Sequence, residues 1–302
     1  MLRIEQLTNG SVSQGRIYAT LMSFDVRHSR GPRPRFDVML EDCTGRLEAV
    51  FHGSFDTLAA LPIAADVRAQ VRSRTLDGRR IHELASISLL RAEERAWNAT
   101  QLMAISACPL QAREALSRLD GLFHSLKSNA LRRFLGGVLV DPKLRVPFVT
   151  CRASRSHHHA FPGGLLVHSV ETALRAHAWS DSLSSDLAEL VQVAALLHDI
   201  GKIRTVGGGR RRPELGRWVR HDDLTLEMIA PHIGVLEESW PEGAALLRHS
   251  LTWYRPMQPS GYARFIGADI LRACDGIDTA IDLGKNAPLM GAVDRWADRH
   301  AG

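Results

Sequence analysis

The hydrophobic period of this chain changes once, and that change limits what it can fold into. From about Ser11 to Leu90 apolar residues recur at every second position. "RFDVMLED" sets Phe36, Val38 and Leu40 between polar neighbours, and "VRAQVRSRTLDGRRIHELASISLL" alternates Val67, Ala69 and Val71 with Arg68, Gln70 and Arg72. A period of two marks half-buried strands, and Asp77-Gly78 is a two-residue hairpin turn. Asp42-Cys43-Thr44-Gly45 reads as a second turn. Beyond about Arg91 the apolar spacing becomes three and four, in "AREALSRLDGLFHSL", "NALRRFLGGVL", "GGLLVHSVETALRAHA" and "SDLAELVQVAALLHDIG". That is the period of amphipathic helices. The pattern predicts an α+β protein of two domains, a small antiparallel barrel or sandwich followed by an all-α half. Asp186 and Glu189 are expected to cap the fourth of those helices, and Trp97 to Pro109 to serve as the linker.

At 302 residues the chain is long enough to build two cores. No apolar run approaches the roughly 20 residues a membrane helix needs, and "MLRIEQLTNG" lacks the apolar segment of a signal peptide. A cytoplasmic protein with no membrane partner is the expectation. The four cysteines, Cys43, Cys108, Cys151 and Cys274, have no C-x-x-C spacing, so neither a zinc ribbon nor a disulfide framework is expected. Net charge is +5, carried mainly by arginine. The planar guanidinium fork suits phosphate, so a nucleic-acid partner is allowed by composition without being required. Two basic stretches stand out, "RHSRGPRPR" from Arg27 to Arg35 and "GGGRRRPELGRWVR" from Gly207 to Arg220.

The chemistry-bearing residues interrupt apolar helices in the second half. His168 lies inside "GGLLVHSVE", His198-Asp199 ends "AALLHDIGK", His221 opens "HDDLTLEMI", His249 lies in "ALLRHSLTW", and Asp275 in "ILRACDGID". Imidazole and carboxylate together suit divalent transition metals, and carboxylates also accept manganese and magnesium. Adjacent residues on a helix point about 100° apart. His198 and Asp199 can therefore share a cavity only from a helix end, which Gly201 is expected to provide.

The ordered series of H, HD, H, H and D on successive helices resembles the HD superfamily of metal-dependent phosphohydrolases. More narrowly, "SHHHAFPGGLLVHSVE" followed by "ALLHDIGK" resembles the YhaM-type 3′→5′ exoribonuclease family, and "YATLMSFDVRH" with "FDVMLEDCTGRLEAVFHG" resembles its OB module. The resemblance implies an OB-fold-like nucleic-acid-binding domain over residues 1–95, a helical connector over 96–145 and an HD domain over 146–302. It implies His168, His198, Asp199 and Asp275 as the central metal ligands, with His221 at the place of the next family histidine. The family's adjacent histidine pair is here Trp253-Tyr254, so His249 is weighed as a substitute ligand.

The expected function is metal-dependent hydrolysis of phosphodiester bonds in single-stranded RNA or DNA, 3′→5′. The cofactor is one or two divalent ions per chain, manganese first, with iron, nickel, cobalt, magnesium or zinc also fitting the ligand types. Lys202 is expected either to offset charge on the phosphate or to be a helix C-terminal cation favoured by the dipole. Expected substrate contacts are His158 and His159, Arg210, Arg211 and Arg212 of the glycine-rich run, and Arg33 and Arg35 of the barrel. Tyr18, Phe24, Phe36 and Phe51 either stack bases or fill the barrel core. Two other functions fit the same residues: a phosphohydrolase of small nucleotides, and a non-catalytic single-strand-binding or conjugation-associated protein with a degraded HD site. Homo-oligomerisation is compatible with each.

Overall fold

A computed structural model of the chain describes residues 2–27, 34–209, 211–252 and 264–286. It divides into two compact units, residues 1–146 and 147–302.

The first unit opens with α1 (Ile4–Thr8), then β1 (Gln14–Arg27), β2 (Arg35–Glu41), β3 (Arg46–Phe51), α2 (Phe55–Ala59), β4 (Asp66–Leu76) and β5 (Arg79–Leu89). The strands close into a barrel in the order β1-β2-β3-β5-β4. All pairs are antiparallel except β3 with β5. Closure is possible because β1 is long: its first half pairs with β4 and its second with β2, with a register shift between Leu21 and Ser23 at the bend. This is an OB-like barrel.

The alternation read from sequence holds. In β2, Phe36, Val38 and Leu40 point inward, and Val67, Ala69 and Val71 of β4 meet them in one core. Phe51 is buried there too, and Phe24 packs against it. Asp77 and Gly78 both take positive φ, 49° and 72°, as the tight hairpin between right-twisted strands requires. At the other predicted turn the Asp42 carboxylate accepts from the backbone N–H groups of Thr44 and Gly45.

Helices α3 (Ala92–Trp97), α4 (Arg113–Ser125) and α5 (Asn129–Val140) complete the unit. The segment from Trp97 to Pro109 is not a linker. Ala99, Leu102, Met103 and Cys108 are buried, Gln101 accepts from the Cys43 backbone, and Ile105 donates to Asp42. Its apolar residues lack either period, which is why it reads as a connector from sequence alone. The division between units falls instead inside α6 (Arg145–Thr150).

The second unit contains α7 (Gly164–Ala178), α8 (Ser185–Leu197), α9 (Lys202–Thr205), α10 (His221–Ser239), α11 (Pro241–Thr252) and α12 (Ile266–Asn286). Every residue of α8 from Ala188 to Leu197 is buried, so it is the central helix, flanked by α7, α11 and α12. The expected Asp186–Glu189 cap is corrected. The N-cap is Ser184 in extended geometry, Asp186 lies in the first turn where the helix dipole favours an anion, and Glu189 is buried. The four cysteines are buried and none pairs with another. Among the described residues no helix is long and apolar enough to cross a membrane.

Candidate metal centre

Four elements deliver the site. His168 sits mid-way along α7 and is fully buried; His198 and Asp199 leave the C-terminal end of α8; His221 begins α10; Asp275 comes from α12. One ligand atom from each of His168, His198, Asp199 and Asp275 lies within 4.8 Å of the others.

The turn that presents His198 and Asp199 is held by backbone packing. Gly201 has an ordinary φ of −60°, so conformational freedom is not why glycine is needed. A Cβ there would lie 2.0 Å from the carbonyl oxygen of His221. The close approach lets Thr225 Oγ1 accept from Gly201 N–H at 3.2 Å while lying 2.8 Å from the His198 carbonyl, which ties the turn to α10.

Hydrogen bonds at the far ring nitrogens set what the histidines offer. His168 Nδ1 lies 2.7 Å from Asp278 Oδ2, and His198 Nδ1 lies 2.7 Å from the Ala195 carbonyl. Both acceptors are oxygens, so each Nδ1 carries the proton and each Nε2 becomes the inward-facing lone pair. His168 Nε2 stands 3.2 Å from Asp199 Oδ2 and 3.0 Å from Asp275 Oδ1; His198 Nε2 is 3.5 Å from both. Lone pairs and carboxylate oxygens crowded together repel unless a cation or proton lies among them. Burial opposes charge on His168, yet the surrounding carboxylates raise its pKa well above the ordinary imidazole value. A proton is thus held where a metal would neutralise the same group. The residues fit a divalent ion in donor type, convergence and tautomer.

Asp199 is the hinge of the arrangement. Its Oδ2 faces His168 and His198 and lies 2.5 Å from Lys202 Nζ, while its Oδ1 is 3.1 Å from His221 Nε2. Despite complete burial, Lys202 and the imidazoles hold this carboxyl well below the usual range. Lys202 lies five residues beyond Leu197, the last residue of α8. It starts the single-turn α9, and its ammonium forms an ion pair with Asp199.

A cavity of about 230 Å³ opens on this cluster, lined by His158, His198, Asp199, Lys202, His221 and Asp275 among others. The His158 ring centroid is 5.3 Å from that of His168. Burial, helped by the charge on Lys202, pushes the His158 pKa down to about 4, so its imidazole is neutral at neutral pH. His159 is turned away from the cavity: it is buried, with Nε2 2.8 Å from Asp278 Oδ2. His249 lies on α11 outside the converging set; Leu251 of the same helix reaches the cavity wall. Arg211 and Arg212 are exposed, and Arg35 lines a separate cavity on the barrel. Arg33, Arg210 and Trp253-Tyr254 lie outside the described residues.

Sequence reasoning missed Asp278. Its Oδ2 serves both His159 and His168, and its Oδ1 lies 2.6 Å from Arg175 Nη1. It fixes the His168 tautomer. The available signal was spacing, since Asp275, Asp278 and Asp282 fall at i, i+3 and i+7 on one helix face.

Residues 165–278, which carry every converging ligand, match the HD domain family. Over 83% of its length the chain is 22% identical to 3'-5' exoribonuclease YhaM of Listeria welshimeri, covering 80% of that protein. The Listeria monocytogenes protein of the same name gives 22% identity and the Listeria innocua one 21%, with the same coverage. The chain is thus similar over most of its length to these exoribonucleases, and its residues 165–278 match the HD domain. The HD-domain match and the geometry agree on a potential divalent-metal centre.

Proposed function

We propose that this protein is a divalent-metal-dependent 3′→5′ exonuclease of single-stranded nucleic acid, RNA first. The observation that carries the reading is the pair of inward-facing Nε2 atoms, locked by their Nδ1 hydrogen bonds, set against two carboxylate oxygens in one small cavity. His168, His198, Asp199 and Asp275 would hold the ion, with His221 on the free edge of Asp199 and manganese the first metal to try. A divalent ion so held supplies Lewis-acid activation of water and electrostatic relief of a phosphoryl group.

The remaining roles belong to the chain. Lys202 brings a buried ammonium to the cavity wall, placed to offset charge gathering on phosphate oxygens. His158, neutral and facing the same space, is suited to hydrogen-bond a phosphate or sugar oxygen. Asp278 and His159 hold His168 in place behind the site. The similarity to the Listeria 3'-5' exoribonucleases supports RNA and the 3′ polarity.

One observation favours a second reading. The barrel cavity of about 540 Å³ is lined by Arg35 and Arg80 but also by Asp25, Asp37 and Glu48, a poor surface for a polyanion. If the barrel does not carry a strand, the same HD centre would act on small nucleotides. Incubating the full chain with 5′-labelled single strands across a panel of divalent ions separates the two. A ladder shortening from the 3′ end supports the exonuclease; intact strands beside hydrolysed small phosphoesters support the alternative.

A further inference from the structure

A second cavity, about 370 Å³, adjoins the metal centre, because Arg220 and His221 line both. Its other walls come from Thr205 and Val206 at the end of α9, from Arg212, and from Gly216 to Val219. The volume lies within the range of about 300–1,000 Å³ in which ligand-sized pockets fall. Its walls are built rather than loose. A Cβ at Gly216 would lie 2.1 Å from the Thr205 carbonyl oxygen, and Arg212 Nε donates to that same carbonyl at 3.2 Å.

The chemistry of this cavity differs from that of the barrel cavity. Arg212, Arg217 and Arg220 line it and, among the described residues, no carboxylate does, although Glu214 lies 3.8 Å from Arg217 beside it. Arg220 is oriented by Asp222 through contacts of 3.1 and 2.6 Å. Between Arg217 and Arg220 stands Trp218, 80% exposed. An indole left that open forgoes the apolar burial that ordinarily stabilises it, and beside three guanidinium groups it forms a flat stacking surface within phosphate reach of cations.

We propose that this cavity is a nucleotide subsite, in which the nucleotide next to the scissile phosphate stacks its base on Trp218 while Arg212 and Arg217 meet the flanking phosphates. The inference rests on the catalytic reading above and adds to it the means of holding the strand. Every base has a π face, so the subsite binds without regard to sequence, and it excludes paired bases, whose faces are already covered. It also moves strand recognition from the barrel to the HD domain.

The test compares metal-loaded parent, Trp218→Ala, Trp218→Phe and Arg217→Gln proteins on a short single-stranded oligonucleotide. Trp218→Ala should raise KM about 5- to 100-fold, the range set by loss of one base–aromatic stack. Trp218→Phe should recover most of that loss, which a merely structural tryptophan would not explain. Arg217→Gln should make the dependence of log affinity on log salt shallower by about 0.7, one phosphate contact. Parent-like KM in Trp218→Ala overturns the subsite. Persistent hydrolysis by an Asp199→Ala protein overturns the catalytic reading instead, whatever Trp218 does.

Discussion

Both units bury acidic side chains, but they do so in opposite ways. In the barrel unit Glu41, Asp42 and Asp66 are each matched by donors. Glu41 accepts from the Ser106 backbone and hydroxyl, Asp42 from Ile4, Thr44 and Gly45, and Asp66 meets Arg95 at 2.8 Å and Arg145 at 2.9 Å. In the HD domain the buried Asp199 and the partly buried Asp275 instead face the Nε2 atoms of His168 and His198, whose Nδ1 atoms are hydrogen-bonded on the other side of the ring. The barrel carboxylates are complete as they stand. Asp199 and Asp275, even with Lys202 beside Asp199, converge with two ring nitrogens on one point, so the pattern of donors, rather than burial alone, separates a structural acid from a ligand.

The comparison breaks most sharply at Asp199. Its replacement by alanine should remove the bound metal and lower phosphodiesterase activity by more than the roughly 100-fold that loss of a supporting partner costs a metal site. Elemental analysis alongside a rate assay checks this. Full metal occupancy in the variant would mean that the cluster is not the metal centre.

At Asp66 the opposite outcome is expected. Alanine there strands two guanidinium groups, and breaking such a buried pair costs about 3–5 kcal/mol, the lower end applying because Arg95 is one-third exposed. The urea midpoint should fall while metal content per folded chain stays at the parent value. Loss of metal without loss of stability would erase the distinction between the two kinds of acid.

Asp278 tests the boundary between them, because it is hydrogen-bonded like a barrel acid yet serves a ligand. Asp278→Asn should weaken metal affinity about 10- to 100-fold by loosening the His168 tautomer, an effect measurable by competition with a chelator. An unchanged affinity would show that α7 alone positions the ring.

These residues also explain what could be read before the structure. His168, His198, Asp199 and Asp275 were legible because each breaks an apolar helix pattern, and the barrel because alternation and the Asp-Gly turn are local. Asp278 was not, since an aspartate in "CDGIDTAID" looks like an ordinary solvent-facing helix residue until α7 is packed against it. His159 takes positive φ, 45°, and its backbone N–H meets Asp282, a long-range contact with no local signature. The packing of residues 97–109 escaped for the same reason. Gly201 was legible as the residue following the helix end, but the room it leaves against α10 is supplied only by tertiary structure.

The smallest expected effect is one of pH, and it sharpens the contrast because the barrel acids face backbone amides, hydroxyls and arginines that do not titrate near neutrality. Burial alone would lower the His221 pKa, but Asp199 at 3.1 Å and Asp222 at 2.9 Å raise it to about 9, against about 6.5 in an unfolded chain. A raised folded pKa means that the imidazolium stabilises the metal-free protein fully below about pH 6.5 and that this contribution fades as pH climbs through about 9. Chelator-treated parent protein should therefore lose urea stability across that window, and His221→Gln should lose less of it; His168, raised in the same direction, keeps the variant from being flat. Metal and proton compete for the same carboxylate neighbourhood, so metal affinity should rise over the same interval and metal uptake should release protons. If His221→Gln keeps the full slope of the parent, His221 is neutral in the folded protein and Asp199 is held by Lys202 and the remaining imidazoles alone.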